Sequence, residues 1–232
     1  MKEWFARWNA PTAVIFPRWV DQVVKVLGLL AVIGGGYATA IVAYGFSPKT
    51  TDVGYAPAQP IPYSHAIHAG QLGIDCRYCH TSVEDTAKAN IPPTQTCLNC
   101  HSSILTESPK LQALRDARDS GLPIRWVRVH SLPDHAYFNH SAHVQRGVGC
   151  VSCHGRVDTM EVVRTVQTLS MSWCVDCHRH PEKHVRPADK VTDMTWKPVD
   201  AEGKPVDPAE VGRQLIAAYN INPPTDCSTC HR

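Results

Sequence analysis

A run of apolar positions near the N-terminus is the most regular feature of the hydrophobic pattern. Residues 26–46, VLGLLAVIGGGYATAIVAYGF, contain no charged side chain. As a helix they would measure about 30 Å, enough to cross a bilayer once. Apolar residues cover all faces of this helix rather than one stripe, which disfavours a buried helix of a soluble domain. The pattern predicts a transmembrane helix, and the small residues Ala38-Thr39-Ala40 leave a cleaved signal peptide as the alternative.

Charged residues before this run indicate its orientation. Residues 1–25 contain four basic side chains, at Lys2, Arg7, Arg18 and Lys25, against Glu3 and Asp21. Basic residues are retained on the cytoplasmic side of a membrane. Segment 1–25 is therefore predicted to be cytoplasmic, with the remainder of the chain on the opposite side.

Beyond the run, the pattern predicts short elements separated by loops. Helices are expected at 109–120 and 208–219, each opened by a Ser-Pro or Asp-Pro pair. Alternating apolar residues from Ile124 predict a short strand, and residues 47–62 a Pro-rich spacer. With 18 Pro, 14 Gly and only four Phe, the chain is predicted to be mainly α-helical with much irregular structure and little core of its own.

All ten cysteines fall into five copies of one pattern, two cysteines separated by two residues with a histidine directly after the second. Two thiols at this spacing can add to the vinyl groups of a haem, while the histidine supplies one axial ligand to its iron. The predicted attachment residues are Cys76, Cys79, Cys97, Cys100, Cys150, Cys153, Cys174, Cys177, Cys227 and Cys230, followed by the predicted iron ligands His80, His101, His154, His178 and His231.

A zinc half-site or a redox dithiol would explain one copy of the pattern but not five. Neither requires a histidine at the same offset each time. The sequence thus predicts five covalently bound haem c groups, predominantly with bis-histidine iron, and no disulfide. Covalent haem attachment takes place in the periplasm, so we expect a single-pass protein of the bacterial inner membrane with a cytoplasmic N-terminus and a periplasmic haem domain.

An internal repeat organises this domain. Residues 63–80, YSHAIHAGQLGIDCRYCH, align with residues 138–154, FNHSAHVQRGVGCVSCH, and each block is followed by a second haem motif. The repeat predicts two two-haem modules, 63–106 and 135–190, within a haem domain 63–232 whose fifth haem is attached at 227–231.

Each module begins with two histidines three residues apart. Side chains at this spacing project from one side of a helical turn, whereas an iron takes its two imidazoles from opposite faces. His65 and His68 are therefore predicted to serve different irons, and so are His140 and His143.

These four histidines leave one distal position to fill. His130 is predicted to fill it, because it follows the predicted strand, whereas His135, His180 and His184 lie in polar loops and are expected to be solvated or near haem propionates. Met171, just before the fourth motif, is either a sulfur ligand or a residue that packs beside a haem.

The formal net charge of +2, without a run of Lys or Arg, argues against nucleic-acid binding.

The His-x-x-His pairs ahead of a CxxCH motif resemble those of the class III multihaem cytochromes, in which the first histidine usually supplies the second axial ligand to the haem of the following motif. This resemblance implies that His65 pairs with His80, and His140 with His154.

Three longer segments resemble the pentahaem subunit of alternative complex III: PYSHAIHAGQLGIDCRYCH, RVHSLPDHAYFNHSAHVQRGVGCVSCHGRVDTM and LSMSWCVDCHRHPEKHVRP. One anchor followed by five haem motifs matches that architecture over the whole chain. The resemblance implies electron transfer within a respiratory complex that oxidises quinol, with no catalytic site in this chain. Its partners would be an iron–sulfur subunit, quinol-binding membrane subunits, membrane lipid, and a monohaem cytochrome c or terminal oxidase.

Other classes of multihaem protein stay open as alternatives: a related quinone reductase complex, a stand-alone quinol dehydrogenase, or a reductase with its own active site. A stand-alone quinol dehydrogenase places its first haem close to the membrane helix, whereas here 29 residues separate Phe46 from Cys76. A reductase needs an open iron, and this chain has enough distal ligands to close every iron.

A pyridine haemochrome assay on the purified protein is expected to give five haems per chain, because five complete motifs are present. Replacing both Cys227 and Cys230 by alanine should lower the count by one and leave the other four. Fewer than five haems in the unmodified protein would contradict the assignment.

Overall fold

The structure is a computed structural model that describes residues 16–17, 19–47 and 51–231. The chain divides into two units, Met1–Thr50 and Thr51–Arg232. Residues 1–15, which form most of the predicted cytoplasmic segment, lie outside the described residues.

The first unit contains one long helix, α1, Trp19–Gly45. It begins seven residues before the predicted run and ends one residue before the end of that run. No described side chain of α1 is buried, and its most apolar stretch of 18 residues has a mean hydropathy of 2.0. By length and composition α1 is a candidate membrane span, as the sequence predicts.

The second unit is an assembly of short helices joined by irregular segments. Among its described residues the backbone pairs in only three isolated β-bridges and forms no strand. Its helices are a π-helix at Ala66–Gln71, then α2 Cys76–Cys79, α3 Thr94–His101, α4 Gln112–Ser120, α5 His140–Val144, α6 Val151–His154, α7 Met171–Arg179, α8 Pro208–Ala218 and α9 Cys227–Cys230, with 3-10 turns at Pro109–Leu111, Val157–Thr159, Pro181–Lys183 and Ala188–Lys190. This architecture confirms the predicted fold class.

The apolar core of the second unit is small. Within the described part of the chain, the buried apolar residues are Ile61, Leu114, Ala117, Met160, Val185 and Val191. A domain of this size normally buries a much larger share of its apolar surface. The aliphatic side chains alone therefore supply only part of what holds this unit together.

The two predicted amphipathic helices are present. The first starts as the 3-10 turn and continues as α4, which ends at Gly121 with φ 70°. The second is α8, where the Asp207 carboxylate accepts a hydrogen bond from the Ala209 backbone N–H at 3.0 Å. This bond satisfies one of the N–H groups that a helix start leaves unpaired.

The strand predicted from Ile124 is wrong. Residues 121–128 have no regular secondary structure. Instead, the side-chain amide of Gln59 donates to the Val127 carbonyl at 2.9 Å and accepts from the Val127 N–H at 2.9 Å. A side chain thus occupies the positions that a neighbouring strand would have used, so the alternating pattern does not lead to a ladder.

The predicted spacer 47–62 is in part an integral segment of the second unit. The Gly54 N–H donates to the Thr165 carbonyl at 2.8 Å, and the Thr165 N–H donates to the Tyr55 carbonyl at 3.1 Å. Ile61 belongs to the small core. These contacts hold residues 54–61 against the domain, so this part of the segment is not a free linker.

Gly212 allows α8 to approach the 3-10 turn Pro181–Lys183 closely. A Cβ at Gly212 would collide with the backbone carbonyl of Glu182. Gly212→Ala is expected to destabilise the folded protein by about 1–3 kcal/mol, because backbone atoms cannot move aside as a side chain can. Thermal unfolding followed by circular dichroism measures this loss. Gln214→Ala, at an exposed position of the same helix, is the control and should unfold at the temperature of the unmodified protein.

Candidate haem sites

Each CxxCH motif lies on a helical turn. The first and fifth motifs form the single-turn helices α2 and α9, each opened by an aspartate. Asp75 accepts from the Arg77 N–H at 2.8 Å, and Asp226 accepts from the Thr229 N–H at 3.1 Å. The turn brings the two cysteines of a motif to one side, with the histidine at its end. This is the arrangement that attachment along one edge of a haem requires.

All ten cysteines are free, and eight of them are partly covered by protein. Burial raises the pKa of Cys153 to about 12 and that of Cys76 to about 11. Among the described residues, no group of three or more His, Cys, Asp or Glu side chains is placed so that it could hold a metal ion such as zinc.

Four pairs of histidine rings lie at the centroid separation expected for two ligands of one iron. An imidazole nitrogen binds a transition metal at about 2 Å, which places the centroids of two opposed rings roughly 6 Å apart. The observed centroid separations are 6.2 Å for His68 and His101, 6.5 Å for His140 and His154, 6.0 Å for His143 and His178, and 5.7 Å for His135 and His231.

Hydrogen bonds orient the distal rings for ligation. The Nδ1 of His68 lies 2.8 Å from the Ser64 carbonyl, and the Nδ1 of His143 lies 2.7 Å from the Asn139 carbonyl. Because a carbonyl only accepts, each Nδ1 carries the proton and each Nε2 keeps a lone pair for a metal. The Nδ1 of His140 is held in the same way, 2.9 Å from the Ala87 carbonyl.

The histidines within the motifs show the same pattern. Four of them place Nδ1 within hydrogen-bond distance of a backbone carbonyl, which again leaves Nε2 available. These contacts are His80 to Asn90 at 2.7 Å, His101 to Ile104 at 3.1 Å, His178 to Pro224 at 2.6 Å and His231 to His135 at 3.2 Å. The residues present therefore fit haem iron as its axial ligands.

One aromatic ring supports both histidines of each His-x-x-His pair. Tyr63 stacks on His68 at 4.4 Å and meets His65 edge-on at 4.8 Å. In the second module Phe138 lies 4.5 Å from His143 and meets its other histidine edge-on at 4.8 Å. The repeat seen in the sequence is thus also a repeat of side-chain geometry.

His65 is half-buried, and among the described residues no contact with a histidine ring identifies its partner. Its Nδ1 is buried without a hydrogen-bond partner among the described residues. Burial, followed by the nearby charges of His80 and His68, lowers the pKa of His65 to about 4. The imidazole is therefore neutral at physiological pH, which is the form that binds metals. Its pairing with His80 stays a prediction.

His130, which was predicted to fill the remaining distal position, lies beside the histidine of the third motif. The His130 ring lies edge-on to His154 at 4.6 Å, which is too close for an iron between them. His135, which was expected to be solvated or near a propionate, faces His231 instead, and a backbone bridge between Ala136 and His231 holds the two segments together. No local spacing signals this pairing, because its partners are 96 residues apart in sequence.

Met171 lies at the surface, and the choice between a sulfur ligand and a packing residue stays a prediction. This residue begins α7 and is 69% exposed. The ring opposite His178, the histidine of the same motif, is that of His143.

Comparison with known proteins agrees with these sites. Residues 136–232 match the family described as cytochrome c7 and related cytochrome c. Over 97 residues the chain is 35% identical to the "Menaquinone reductase, multiheme cytochrome c subunit" of Nitratidesulfovibrio vulgaris strain Hildenborough, a match that covers 41% of this chain and 45% of that relative. The chain therefore matches less than half the length of this relative.

The match and the geometry together define a mainly helical, irregular multihaem domain of the cytochrome c7 type. Haem c is the cofactor that this type of domain implies. The predicted kind of protein, a multihaem cytochrome c, is confirmed at this level.

His135→Ala is expected to convert one haem from low-spin to high-spin, because His135 supplies the ring opposite His231. His130→Ala, the matched variant, should leave all haems low-spin. Electron paramagnetic resonance of the oxidised proteins at equal haem content separates the two results. A high-spin signal from His130→Ala and none from His135→Ala would reverse the assignment.

Proposed function

We propose that this chain is a pentahaem electron-transfer subunit of a membrane-bound quinone oxidoreductase complex. When bound, haem iron supplies one-electron transfer between its ferric and ferrous states. The observation that carries the proposal is the order in which the chain joins its five motifs in space. Contacts between neighbouring motifs form one unbranched series, second–first–third–fourth–fifth.

The second and first motifs are joined directly. The Asn99 side-chain amide of the second motif donates to the Tyr78 hydroxyl of the first at 3.0 Å. His65 and His68 also lie on one turn, so a distal ligand for each of these two sites comes from the same short segment.

The first and third motifs are joined through two segments. The Thr192 hydroxyl donates to the Asp75 carboxylate at 2.9 Å, and the Cys150 N–H donates to the Val191 carbonyl at 3.0 Å. The starts of both motifs therefore contact the same segment, residues 191–192. The loop after the first motif also contacts α5, where the Ser141 N–H donates to the Thr86 carbonyl at 3.1 Å.

The third, fourth and fifth motifs continue the series. His140 and His143 on α5 face the histidines of the third and fourth motifs. The Nδ1 of His178 in the fourth motif is held by Pro224, just before the fifth.

The ends of the series are the most open. Cys100 in the second motif and Cys227 in the fifth are exposed, whereas the other eight cysteines are partly covered by protein. Partners could therefore approach the two terminal sites through these exposed cysteines. Such an arrangement suits a subunit that receives electrons at one end and delivers them at the other.

We assign the quinone chemistry to partner subunits. The resemblance to alternative complex III supports a chain that accepts electrons from quinol oxidation through an iron–sulfur subunit and passes them to a monohaem cytochrome c or an oxidase. Helix α1 would anchor the chain in the inner membrane, with the haem domain in the periplasm. In this arrangement the chain itself carries no substrate site.

The 35% sequence identity to a subunit of a menaquinone reductase favours a second candidate complex, a menaquinone reductase. In that case the same series of sites would carry electrons in the opposite direction, from an external donor toward menaquinone. The five motifs and their order serve either direction equally, so the partner subunits decide between the two.

The proposal is tested on the complex isolated from membranes through an affinity tag on this chain. For an alternative complex III, quinol should reduce the haems in an inhibitor-sensitive reaction, and oxidised cytochrome c should reoxidise them. For a menaquinone reductase, reduced donor cytochrome should reduce the haems and menaquinone should reoxidise them. The separated chain is expected to be reduced by dithionite but not by quinol. Inhibitor-sensitive quinol oxidation by the separated chain would contradict the proposed role.

A further inference from the structure

A cavity rich in basic side chains lies near the third motif. Its volume is about 160 Å³, and its lining includes Lys183, His184, Arg186 and Lys197 together with Trp196. No aspartate or glutamate is among the lining residues. A concave surface with several cationic groups and no carboxylate of its own is suited to an anion.

Arg186 is the buried member of this group. It is 8% exposed, and its guanidinium lies over the Trp196 ring at 5.2 Å. Nη1 donates to the Asp193 carbonyl at 2.9 Å, but Nε is buried without a hydrogen-bond partner. Among the described residues no carboxylate forms an ion pair with Arg186. The Asp193 carboxylate is near enough to favour the charged form of Arg186 but does not pair with it, so an anion at this position would stabilise the folded chain.

The backbone is shaped to hold the guanidinium in place. A Cβ at Gly149 would collide with the Nε and Cζ atoms of Arg186. Gly147, with φ 78°, accepts from the Arg186 N–H at 2.8 Å, and Val148 bridges to Val185. Gly149 directly precedes Cys150 and Gly147 lies three residues before it, so the guanidinium is fixed against the segment that leads into a haem-attachment motif.

We propose that Arg186, with Lys183 and Lys197, forms a carboxylate-binding site that holds a propionate of one of the protein's own haems and sets the potential of that haem. This inference rests on the haem content given by the proposed function. A haem propionate and a free small carboxylate share the chemistry that the guanidinium recognises. The covalent attachment of haem next to Gly149 favours the propionate, since it is held in place permanently.

The test is a spectroscopic redox titration of the full-length protein after its five haems have been counted. Arg186→Gln is expected to lower the midpoint potential of one haem and leave four unchanged, because loss of a nearby positive charge favours the ferric state. Arg186→Lys keeps the charge, and the midpoint potential of this haem in that variant should lie between those of the unmodified protein and Arg186→Gln. Arg213→Gln is the matched control, because Arg213 is an exposed arginine that pairs with Glu210. The haem potentials of this variant should equal those of the unmodified protein.

Potentials that are identical in Arg186→Gln and the unmodified protein would overturn the proposal. A potential that depends on acetate concentration in the unmodified protein, and not in Arg186→Gln, would also overturn it by showing that a free carboxylate occupies the site. Should Arg186→Gln accumulate with fewer than five haems, the resonance Raman propionate bands of Arg186→Lys decide. A shifted band supports the proposal, since an ammonium cannot reproduce the planar fork of a guanidinium, and an unshifted band rejects it.

Discussion

The constraint that governs this domain is that two histidines one turn apart cannot bind the same iron. His140 and His143 accordingly lie opposite the histidines of the third and fourth motifs, and one aromatic ring, Tyr63 or Phe138, contacts both imidazoles of its pair. This arrangement uses neither a sheet nor a long helix among the described residues of the second unit. Its few buried aliphatic residues leave room for ligand geometry, if haems are bound as proposed, to contribute to the order of the domain.

The site residues that the sequence revealed are those whose chemistry is encoded by local spacing. The five motifs and both histidine pairs repeat at short, fixed intervals, so the sequence alone is enough to propose them as haem sites. His135 was missed because its facing ring, His231, is brought close only when the segment around Ala136 pairs with the C-terminal turn. His130 was favoured for its predicted strand, and that strand is absent from the residues the structure describes, because Gln59 supplies the hydrogen bonds that a second strand would have made. Tertiary pairing, not residue type, decides between two such histidines.

The helical elements were largely predictable and the connections were not. Proline and aspartate at helix starts mark α8, whereas nothing local shows that residues 54–61 lie against Thr165 and Val127. The family match is confined to residues 136–232, yet Tyr63, His65 and His68 reproduce the geometry of their counterparts 75 residues later. These three rings are thus arranged like Phe138, His140 and His143, although they lie outside the matched region.

The pairing of His135 with His231 also orders events during synthesis. A ribosome completes residues 63–190, with four motifs and both histidine pairs, well before it reaches the fifth motif. The Tyr137 N–H to Cys230 carbonyl bond of 2.7 Å can form only in a chain that has been made through that last turn. The turn at 227–231 is therefore held by a segment about 90 residues earlier in the chain, so its position depends on contacts that its own neighbours in sequence do not make.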